Sequence, residues 1–318
     1  MRVATINDGT PDGRLIVASR EGTHYAIAPI ATLQQALDDW AHWKPQLDAI
    51  SRFDHPLDPA LLRAPLPRAW QWLDGSTFPS HGELMAKAFG RAVERSEWPL
   101  MYQGLSDRFL SPNEDSEFPD ESHGIDFEGE FGVITEAVPM GTDASSAASR
   151  IALIVQINDW SLRNLAGREM TTGFGWIQAK PACSMAPFAI TPGELGPAWT
   201  NCRVALDLEV EWNGELFGRP NGAAMAFGFH ELIAHAAATR HLPAGTVIGS
   251  GTVSNANYRE VGSTCIAERR GLEMVDKGAA STSFMKYGDH VRMSAISSGG
   301  DRPFGSIDQR VVASRIKP

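Results

Sequence analysis

Residues 151–157 form a nearly unbroken run of apolar side chains, and the run stops at Asn158-Asp159. Such a run is typical of a β-strand that is buried on both faces and covered by other parts of the fold. A carboxylate at the end of a buried strand needs a partner, because an unpaired buried charge is costly. The run therefore predicts a fold built around a buried sheet, with Asp159 paired where the strand ends.

The composition is that of an ordinary folded protein. Of the 318 residues, 43% are hydrophobic and 21% are charged, which is enough apolar material for a sizeable core. The 28 basic and 38 acidic residues give a formal net charge of −10, and the longest basic run is Arg269-Arg270. Because a nucleic-acid backbone repels such a chain, we expect no nucleic-acid partner.

The sequence also bears on the cellular compartment. A turn at Asp8-Gly9 comes before any signal-peptide core could form, and no apolar run approaches the roughly 20 residues of a membrane span. The cysteines Cys183, Cys202 and Cys265 are odd in number and widely spaced, unlike a disulfide framework. We expect a cytoplasmic protein with reduced thiols and no membrane partner, in which Cys183 and Cys265 are core residues.

The chain divides into a small β-rich N-terminal part and a larger part. Short apolar runs separated by turn residues predict N-terminal strands at residues 3–6, 15–18 and 25–30. The prolines within residues 54–68 disfavour regular pairing, so this passage predicts a linker or domain edge. We therefore expect a small domain with its linker at residues 1–68 and a second domain at residues 69–318.

The larger part is dominated by predicted strands. Residues 204–212 alternate apolar and polar side chains and lead into Asn213-Gly214, a dipeptide typical of a tight hairpin. Further strands are predicted at residues 246–254 and 290–297, and a helix is predicted at residues 229–240. These elements indicate an α+β fold that is mostly β.

Residues 124–134 carry the most informative pattern. As one strand, they would place Asp126, Glu128 and Glu130 on one face and apolar side chains on the other. Neighbouring carboxylates repel one another unless water, a proton or a cation intervenes. Residues 207–211 show the same alternation, so the pattern alone fits either a solvated face or a metal site.

The surroundings favour the metal site. Asp159 ends a buried strand, and Arg163 and Lys180 follow it closely in the chain. Several carboxylate oxygens at strand ends, with nearby basic groups, suit Mg²⁺ or Ca²⁺ that holds an anionic, oxygen-rich substrate.

Several motifs, in this order along the chain, together resemble those of the fumarylacetoacetate hydrolase family. They are Asp74…His81, Tyr102-Gln103-Gly104, Glu128-x-Glu130, Asn158-Asp159-Trp160-Ser161-x-Arg163, Lys180-Pro181, Gly249-Ser250-Gly251-Thr252 and Gly262-Ser263. The resemblance runs from about Asp74 to the C-terminus and is looser before it. It implies a mixed β-sandwich roll with a small N-terminal β-rich domain, assembled as a homodimer.

The resemblance also implies a site. The metal ligands of the family fall on Asp74, Glu128, Glu130 and Asp159, for Mg²⁺ or Ca²⁺ with Mn²⁺ as a further possibility. Lys180 and Ser184 fall in the shell around the metal. The catalytic histidine falls on His81, with Lys180 as a second catalytic group, and the substrate-binding residues fall on Tyr102, Arg163 and Thr252.

Two positions depart from the family pattern. A substrate-binding glutamine falls on Ala166, and the glutamate that orients the histidine falls on Ile266. Two other carboxylates are candidates for that orienting role. Glu268 would share a strand face with residue 266, and Glu83 is close to His81 in the chain.

The activity implied is metal-dependent hydrolysis of a carbon–carbon bond in a small anionic β-diketo acid, such as fumarylacetoacetate or an acylpyruvate of aromatic catabolism. His81 would be the general base, and the carboxylate-bound cation would stabilise the enolate. The alternatives are a 2-oxo acid hydratase, dehydratase or decarboxylase of the same family, and a non-catalytic binding protein on this fold.

Overall fold

The computed structural model describes residues 1–90, 92–93 and 96–314. The strands, numbered along the chain, are β1 (Arg2–Ile6), β2 (Arg14–Ala18), β3 (His24–Ile27), β4 (His55–Pro56), β5 (Trp72–Gly75), β6 (Met101–Gly104), β7 (Ser116–Phe118), β8 (Ile125–Asp126), β9 (Gly129–Thr135), β10 (Ile151–Asn158), β11 (Ser161–Leu162), β12 (Ser184–Met185), β13 (Ala189–Ile190), β14 (Trp199–Thr200), β15 (Arg203–Val204), β16 (Asp207–Trp212), β17 (Glu215–Gly218), β18 (Val247–Gly249), β19 (His290–Ile296) and β20 (Ile307–Ala313). The α-helices are α1 (Leu33–Asp38), α2 (Trp40–Asp48), α3 (Pro79–Ala88), α4 (Ala144–Ala147), α5 (Arg163–Met170), α6 (Pro192–Leu195), α7 (Phe229–Ala237), α8 (Tyr258–Val261) and α9 (Ile266–Lys277).

One large mixed sheet organises the molecule. Its strand order is β4-β3-β2-β1-β13-β10-β9-β18-β5-β6, and β12 also pairs with β10. Every residue of β10 is buried, so the predicted strand with two covered faces is confirmed. β10 pairs antiparallel with β9 along its whole length, which places the end of β10 beside the start of β9.

The N-terminal strands extend this same sheet. β1 pairs with β2 and also with β13, through the pair Arg2 and Ile190. The proline-rich passage packs against these strands, since Leu62 and Leu66 are buried and Leu62 forms an antiparallel bridge with Ile6. Pro67 O also accepts from the backbone N–H of Phe109 at 2.8 Å. The passage is therefore in contact with both parts of the chain, and a domain boundary near residue 68 stays a prediction.

A second sheet, in the order β17-β16-β19-β20-β7, packs against the first. Asn213 and Gly214 both have positive φ, of 54° and 80°, and close the predicted hairpin between β16 and β17. The buried side chain of Gln156 on β10 hydrogen-bonds Met293 O at 3.1 Å and the Ala295 N–H at 2.7 Å, which joins the two sheets. The α+β class with mixed sheets and an N-terminal β-rich part is confirmed.

The structure differs from the sequence predictions near the site. Residues 266–277 form the helix α9, and the strand predicted at residues 246–254 is only β18. α9 packs closely on α3, because Gly271 has no side chain and a Cβ there would lie 3.2 Å from Met85 Sδ. This close approach, which depends on the tertiary fold, sets α9 beside the helix that carries His81.

None of the helices in the described part of the chain has the length and apolar character that a membrane span requires.

Candidate active site

Three carboxylates from the large sheet meet in the interior. Asp74 on β5, Glu130 on β9 and Asp159 directly after β10 each offer an oxygen, and these oxygens lie within 4.8 Å of one another. All three residues are buried. The sheet order explains the meeting, since β9 lies between β10 and β18, and β18 pairs with β5. We call Asp74, Glu130 and Asp159 the acidic triad.

Glu130 is the most unusual member of the triad. Both of its carboxylate oxygens are buried, and neither receives a hydrogen bond from a described donor. Burial first, and then the charges of Asp74 and Asp159, raises the pKa of Glu130 well above its usual range. Burial and Asp159 likewise raise the pKa of Asp74. A buried carboxylate without a donor needs a cation or a proton, so the triad fits a divalent metal ion with oxygen ligands.

Glu128, the fourth predicted ligand, is held by hydrogen-bond donors. Its Oε1 accepts from Lys180 Nζ at 2.6 Å and Ser161 Oγ at 2.5 Å, and lies 3.0 Å from Arg163 Nη2. Its Oε2 accepts from the Thr252 hydroxyl. Burial opposes ionisation, but Arg163 and Lys180 outweigh it and hold the pKa of Glu128 well below its usual range. A direct metal contact of Glu128 stays a prediction.

Asp159 links the triad to two predicted site residues. Its Oδ2 accepts from Lys180 Nζ at 2.5 Å and from the Tyr102 hydroxyl at 2.8 Å. Despite the opposing effect of burial, Asp159 and Glu128 raise the pKa of Lys180, so this side chain is a cationic donor at neutral pH. Burial first, and then Asp159, raises the pKa of Tyr102, so its hydroxyl stays protonated.

Cys183 and Ser184, which follow Lys180 in the chain, make contacts that the sequence did not predict. Cys183 is buried, as predicted, but its thiol also donates to Asp159 Oδ1 at 2.9 Å. The sequence signal for this contact was the position of Cys183 just after the Lys180-Pro181 motif. Ser184 accepts from the Trp160 indole at 3.0 Å and thereby supports the segment next to Asp159. A role of Ser184 in the shell around a metal stays a prediction.

The predicted single strand over residues 124–134 is wrong. β8 ends at Asp126, and β9 begins at Gly129. The strand is interrupted because β8 pairs with β11, whereas β9 pairs with β10. The three carboxylates therefore do not share one face.

Asp126 acts at the start of α9. Its oxygens accept the backbone N–H groups of Ile266 at 2.7 Å and Ala267 at 2.9 Å. It also accepts from Arg163 Nε at 2.8 Å. Asp126 thus satisfies helix N–H groups that have no partner within the helix, and it holds the guanidinium of Arg163 beside Glu128.

His81 lies on α3 and faces α9. Its Nδ1 is 3.4 Å from Oε1 of Glu268, which is 1% exposed. The hydroxyls of Ser254 and Ser263 donate to Glu268 at 2.6 Å and 2.5 Å. Burial opposes ionisation, but His81 and these hydroxyls outweigh it and hold the pKa of Glu268 below its usual range.

Of the two carboxylates proposed to orient His81, Glu268 therefore has the contact in this structure. The reason given from the sequence was wrong, because residue 268 lies on a helix and not on a strand. Glu83 lies two residues after His81 on α3, and side chains at that spacing point away from each other on a helix.

Gly249 allows Asp74 to enter the triad. It lies opposite Asp74 in the parallel pair of β18 and β5, and a Cβ there would be 2.3 Å from Asp74 Oδ1 and 2.3 Å from the Trp72 ring. We expect Gly249→Ala to displace Asp74, to lower the free energy of unfolding by about 1–3 kcal/mol and to weaken Mg²⁺ binding. Denaturant unfolding and calorimetric titration measure both effects.

The control is Gly193→Ala on α6, where an added Cβ meets nothing within 4 Å. This variant should change the free energy of unfolding by no more than about 0.5 kcal/mol. If Gly249→Ala behaves like the control, the close approach to Asp74 is not required.

The fold and the site together define a class of protein. A buried acidic triad, with Lys180 hydrogen-bonded to one of its members, fits metal-dependent catalysis.

The family model "Fumarylacetoacetate (FAA) hydrolase C-terminal" matches residues 71–312, and "Fumarylacetoacetase N-terminal domain 2" matches residues 1–68. The chain belongs to the fumarylacetoacetate hydrolase family, whose members include hydrolases and isomerases.

Individual proteins are similar to this chain over different lengths. The 2,4-didehydro-3-deoxy-L-rhamnonate hydrolase of Sphingomonas sp. (strain SKA58) is 26% identical over 157 residues, which are 48% of this chain and 52% of that protein. The chain therefore matches about half the length of this curated relative.

Two solved structures cover the whole fold. Maleylpyruvate hydrolase from Sphingobium sp. SYK-6, in complex with manganese(II) and pyruvate, has a TM-score of 0.66 at 16% identity, over 99% of this chain and 100% of that one. The 5-carboxymethyl-2-hydroxymuconate delta-isomerase from Mycobacterium smegmatis has a TM-score of 0.63 at 19% identity, with the same coverage. At these identities the two structures establish the fold alone.

Proposed function

We propose that this protein is a metal-dependent hydrolase that cleaves a carbon–carbon bond in an acylpyruvate-type β-diketo acid. The observation that carries the proposal is Glu130, a buried carboxylate without a described donor, beside Asp74 and Asp159. Two similar proteins are hydrolases by name, and one of them was solved with manganese(II) and pyruvate. The resemblance of the site residues to those of the family supports the same reaction.

Asp74, Glu130 and Asp159 would hold the cation, and Glu128 is the further candidate ligand. A bound Mg²⁺, Ca²⁺ or Mn²⁺ supplies Lewis acidity, which makes the carbon between the two substrate carbonyls more acidic and a better leaving group. Lys180 keeps its positive charge and hydrogen-bonds Asp159, so it is placed to donate to an anionic substrate oxygen.

The remaining predicted residues frame the substrate. Arg163 is held between Asp126 and Glu128, which fixes the direction of its guanidinium. The hydroxyl of Tyr102 donates to Asp159, and the hydroxyl of Thr252 donates to Glu128. Binding of substrate by Arg163, Tyr102 and Thr252 is part of the proposal.

His81 is the proposed general base. Glu268 faces Nδ1 of the ring, and a carboxylate there favours the tautomer with the proton on Nδ1. The Nε2 atom is then the acceptor that takes a proton from water. The water oxygen attacks the ketonic carbonyl, the carbon–carbon bond breaks, and the pyruvate enolate that leaves is protonated on carbon.

Acetylpyruvate in ¹⁸O-labelled water, with Mg²⁺ or Mn²⁺ added, tests the reaction. We expect one pyruvate and one acetate per substrate, with one solvent oxygen in the acetate carboxylate, because water attacks the acetyl carbonyl. Protein treated with a chelator is the control and should be inactive.

Other products would overturn the proposed reaction. Release of carbon dioxide from a 2-oxo diacid, with acylpyruvates unchanged, would indicate a decarboxylase. A shift of a double bond without cleavage would indicate an isomerase.

A further inference from the structure

One carboxylate holds the chain directly before Lys180. Glu169, at the end of α5, accepts three consecutive backbone N–H groups. They are those of Ile177, Gln178 and Ala179, at 3.1, 2.8 and 3.0 Å. Hydrogen bonds to an ionised acceptor are roughly twice as strong as those between neutral groups. Glu169 therefore fixes this stretch of backbone, and we call residues 177–179 the anchored segment.

The position of Glu169 on its helix is unfavourable by itself. The C-terminal end of a helix carries a partial negative charge, which repels a carboxylate in the last turn. Burial also opposes ionisation, but the three N–H groups and the charge of Arg168 outweigh it and hold the pKa of Glu169 below its usual range. An ionised Glu169 is thus stabilised at this position by its contact with the anchored segment.

The last residue of the anchored segment is fixed through both of its backbone polar groups. The N–H of Ala179 donates to Glu169, and its carbonyl accepts the backbone N–H of Leu162 at 2.8 Å. Ala179 is also fully buried. Lys180 comes next, and the Pro181 that follows it restricts the backbone of Lys180 itself. Little backbone freedom therefore remains where the lysine side chain leaves the chain.

The helix α5 connects the two basic groups of the site. It begins at Arg163, which lies 3.0 Å from Glu128, and Glu169 is in its last turn. After the anchored segment, the chain returns to the same carboxylate through Lys180, whose Nζ lies 2.6 Å from Glu128. The contact of Glu169 thus closes a ring of contacts that begins and ends at Glu128.

The residue before the anchored segment reaches the same part of the site. The Trp176 ring lies edge-on to the Tyr102 ring, with the ring centroids 6.1 Å apart. Lys180 Nζ lies 5.5 Å from the centroid of that tyrosine ring. Tyr102 and Lys180 both donate to Oδ2 of Asp159. A displacement of the anchored segment would therefore affect both donors to one oxygen of the acidic triad.

We infer that Glu169 is a positioning residue of the site, which sets the place of Lys180 and supports Tyr102 through Trp176. The inference rests on the proposed function, because it acts through the donation by Lys180 to an anionic substrate oxygen. It assigns to a carboxylate outside the acidic triad an effect on turnover that is exerted through the backbone of the anchored segment.

Glu169→Gln tests the inference, because the amide keeps the shape of the carboxylate but replaces one acceptor oxygen with an NH₂ donor. At least one N–H group of the anchored segment then loses its acceptor. We expect kcat for acylpyruvate cleavage to fall by about 10–100-fold, with KM and the affinity for Mg²⁺ changed by no more than about threefold. Reductive methylation of the Lys180 amine, followed by peptide mass spectrometry, should be faster by about 10-fold or more.

Glu273→Gln is the matched control. Glu273 on α9 accepts the backbone N–H groups of Ser281 and Thr282 at 2.6 and 2.9 Å, so it holds a loop in the same way. That loop carries none of the predicted site residues. This variant should therefore keep kcat and the methylation rate of Lys180 within about twofold of the unaltered protein.

Three results would overturn the inference. The first is an unchanged kcat and an unchanged methylation rate of Lys180 in Glu169→Gln, and the second is an equal effect of the control variant. The third is loss of Mg²⁺ binding in Glu169→Gln, since the carboxylate would then maintain the whole site and not the position of Lys180.

The methylation rate does not depend on turnover, so the two proposals can fail separately. Faster methylation of Lys180 in Glu169→Gln, in a protein that cleaves no acylpyruvate, would support the positioning role and overturn the proposed reaction. Cleavage of acylpyruvates, with a methylation rate that the substitution leaves unchanged, would support the reaction and overturn the inference.

Discussion

His81→Ala should lower the turnover number for acylpyruvate cleavage by about 10²–10⁴-fold, because the attacking water loses its general base. The affinity for Mg²⁺ should change by no more than about twofold, since His81 contacts Glu268 and is not part of the acidic triad. Steady-state kinetics and calorimetric Mg²⁺ titration of the same preparation measure both quantities. A turnover number within about twofold of the unaltered protein would show that His81 has no role as the base.

Two isosteric variants show which carboxylate orients the imidazole. We expect Glu268→Gln to lower turnover by about 10–100-fold, because the amide no longer favours the required tautomer. Glu83→Gln is the matched control on α3 and should change turnover by about threefold at most. Equal effects of the two variants would contradict the assignment of Glu268.

Acidification should reveal the same contact. The pKa of Glu268 in the folded protein lies below its unfolded value of about 4.3. The ionised Glu268 therefore contributes fully to the stability of the fold above about pH 4.3, and this contribution is lost as the pH falls through the folded-state pKa. Glu268→Gln should be less stable near neutral pH, and its stability should depend less steeply on pH in the acid range.

Glu130→Gln should abolish measurable Mg²⁺ binding and lower turnover by about 10³-fold or more, because the triad loses a charged ligand and the reaction loses its Lewis acid. The metal-free variant should nevertheless be at least as stable as the metal-free unaltered protein. The reason is that the buried Glu130 carboxylate accepts no hydrogen bond within the described part of the chain and lies near the carboxylates of Asp74 and Asp159, so its loss removes no stabilising contact. Calorimetric titration, kinetics and denaturant unfolding after chelation measure these effects.

Glu128→Gln provides the contrast at a neighbouring position. Glu128 is buried and is the common partner of the partly buried groups Lys180 and Arg163, so its loss should lower the free energy of unfolding by about 3 kcal/mol. Glu117→Gln on the exposed position of β7 is the control and should change neither stability nor Mg²⁺ binding. If Glu130→Gln destabilised the metal-free protein as much as Glu128→Gln, Glu130 would have a structural role.

The pH dependence of metal-free stability follows from the raised pKa of Glu130. Above about pH 4.3, which is the pKa of a glutamate in the unfolded chain, Glu130 of the folded protein keeps a proton that the unfolded chain has released. Stability should therefore fall as the pH rises from that value towards the folded-state pKa. Mg²⁺ should raise the melting temperature more at about pH 8 than at about pH 5, since protons compete with the metal. Glu130→Gln should remove most of this difference.

Local sequence patterns were sufficient to predict several elements of the fold. The apolar run of residues 151–157 predicted the buried strand β10, since a strand covered on both faces needs apolar side chains at every position. Asn213-Gly214 predicted its hairpin because both residues tolerate positive φ. These features depend on neighbours along the chain.

The helix α9 was not predicted, because its contact with α3 depends on a distant part of the chain. Gly271 lets α3 approach, and Asp126 accepts the first backbone N–H groups of the helix. With α9 in place, Glu268 reaches His81, although the two residues are far apart in sequence.

The sequence by itself determined which residue types were available for a site: carboxylates at strand ends, a lysine, an arginine and a histidine, in the order typical of one family. Only the tertiary structure decided how Asp126, Glu128 and Glu130 divide their roles. Asp126 accepts a backbone N–H at the start of α9, and Glu128 forms ion pairs with Lys180 and Arg163. Glu130 lies beside the other two triad carboxylates. The alternating pattern could not separate them, because a carboxylate's role is set by the charges and donors that the fold brings to it from distant strands and helices.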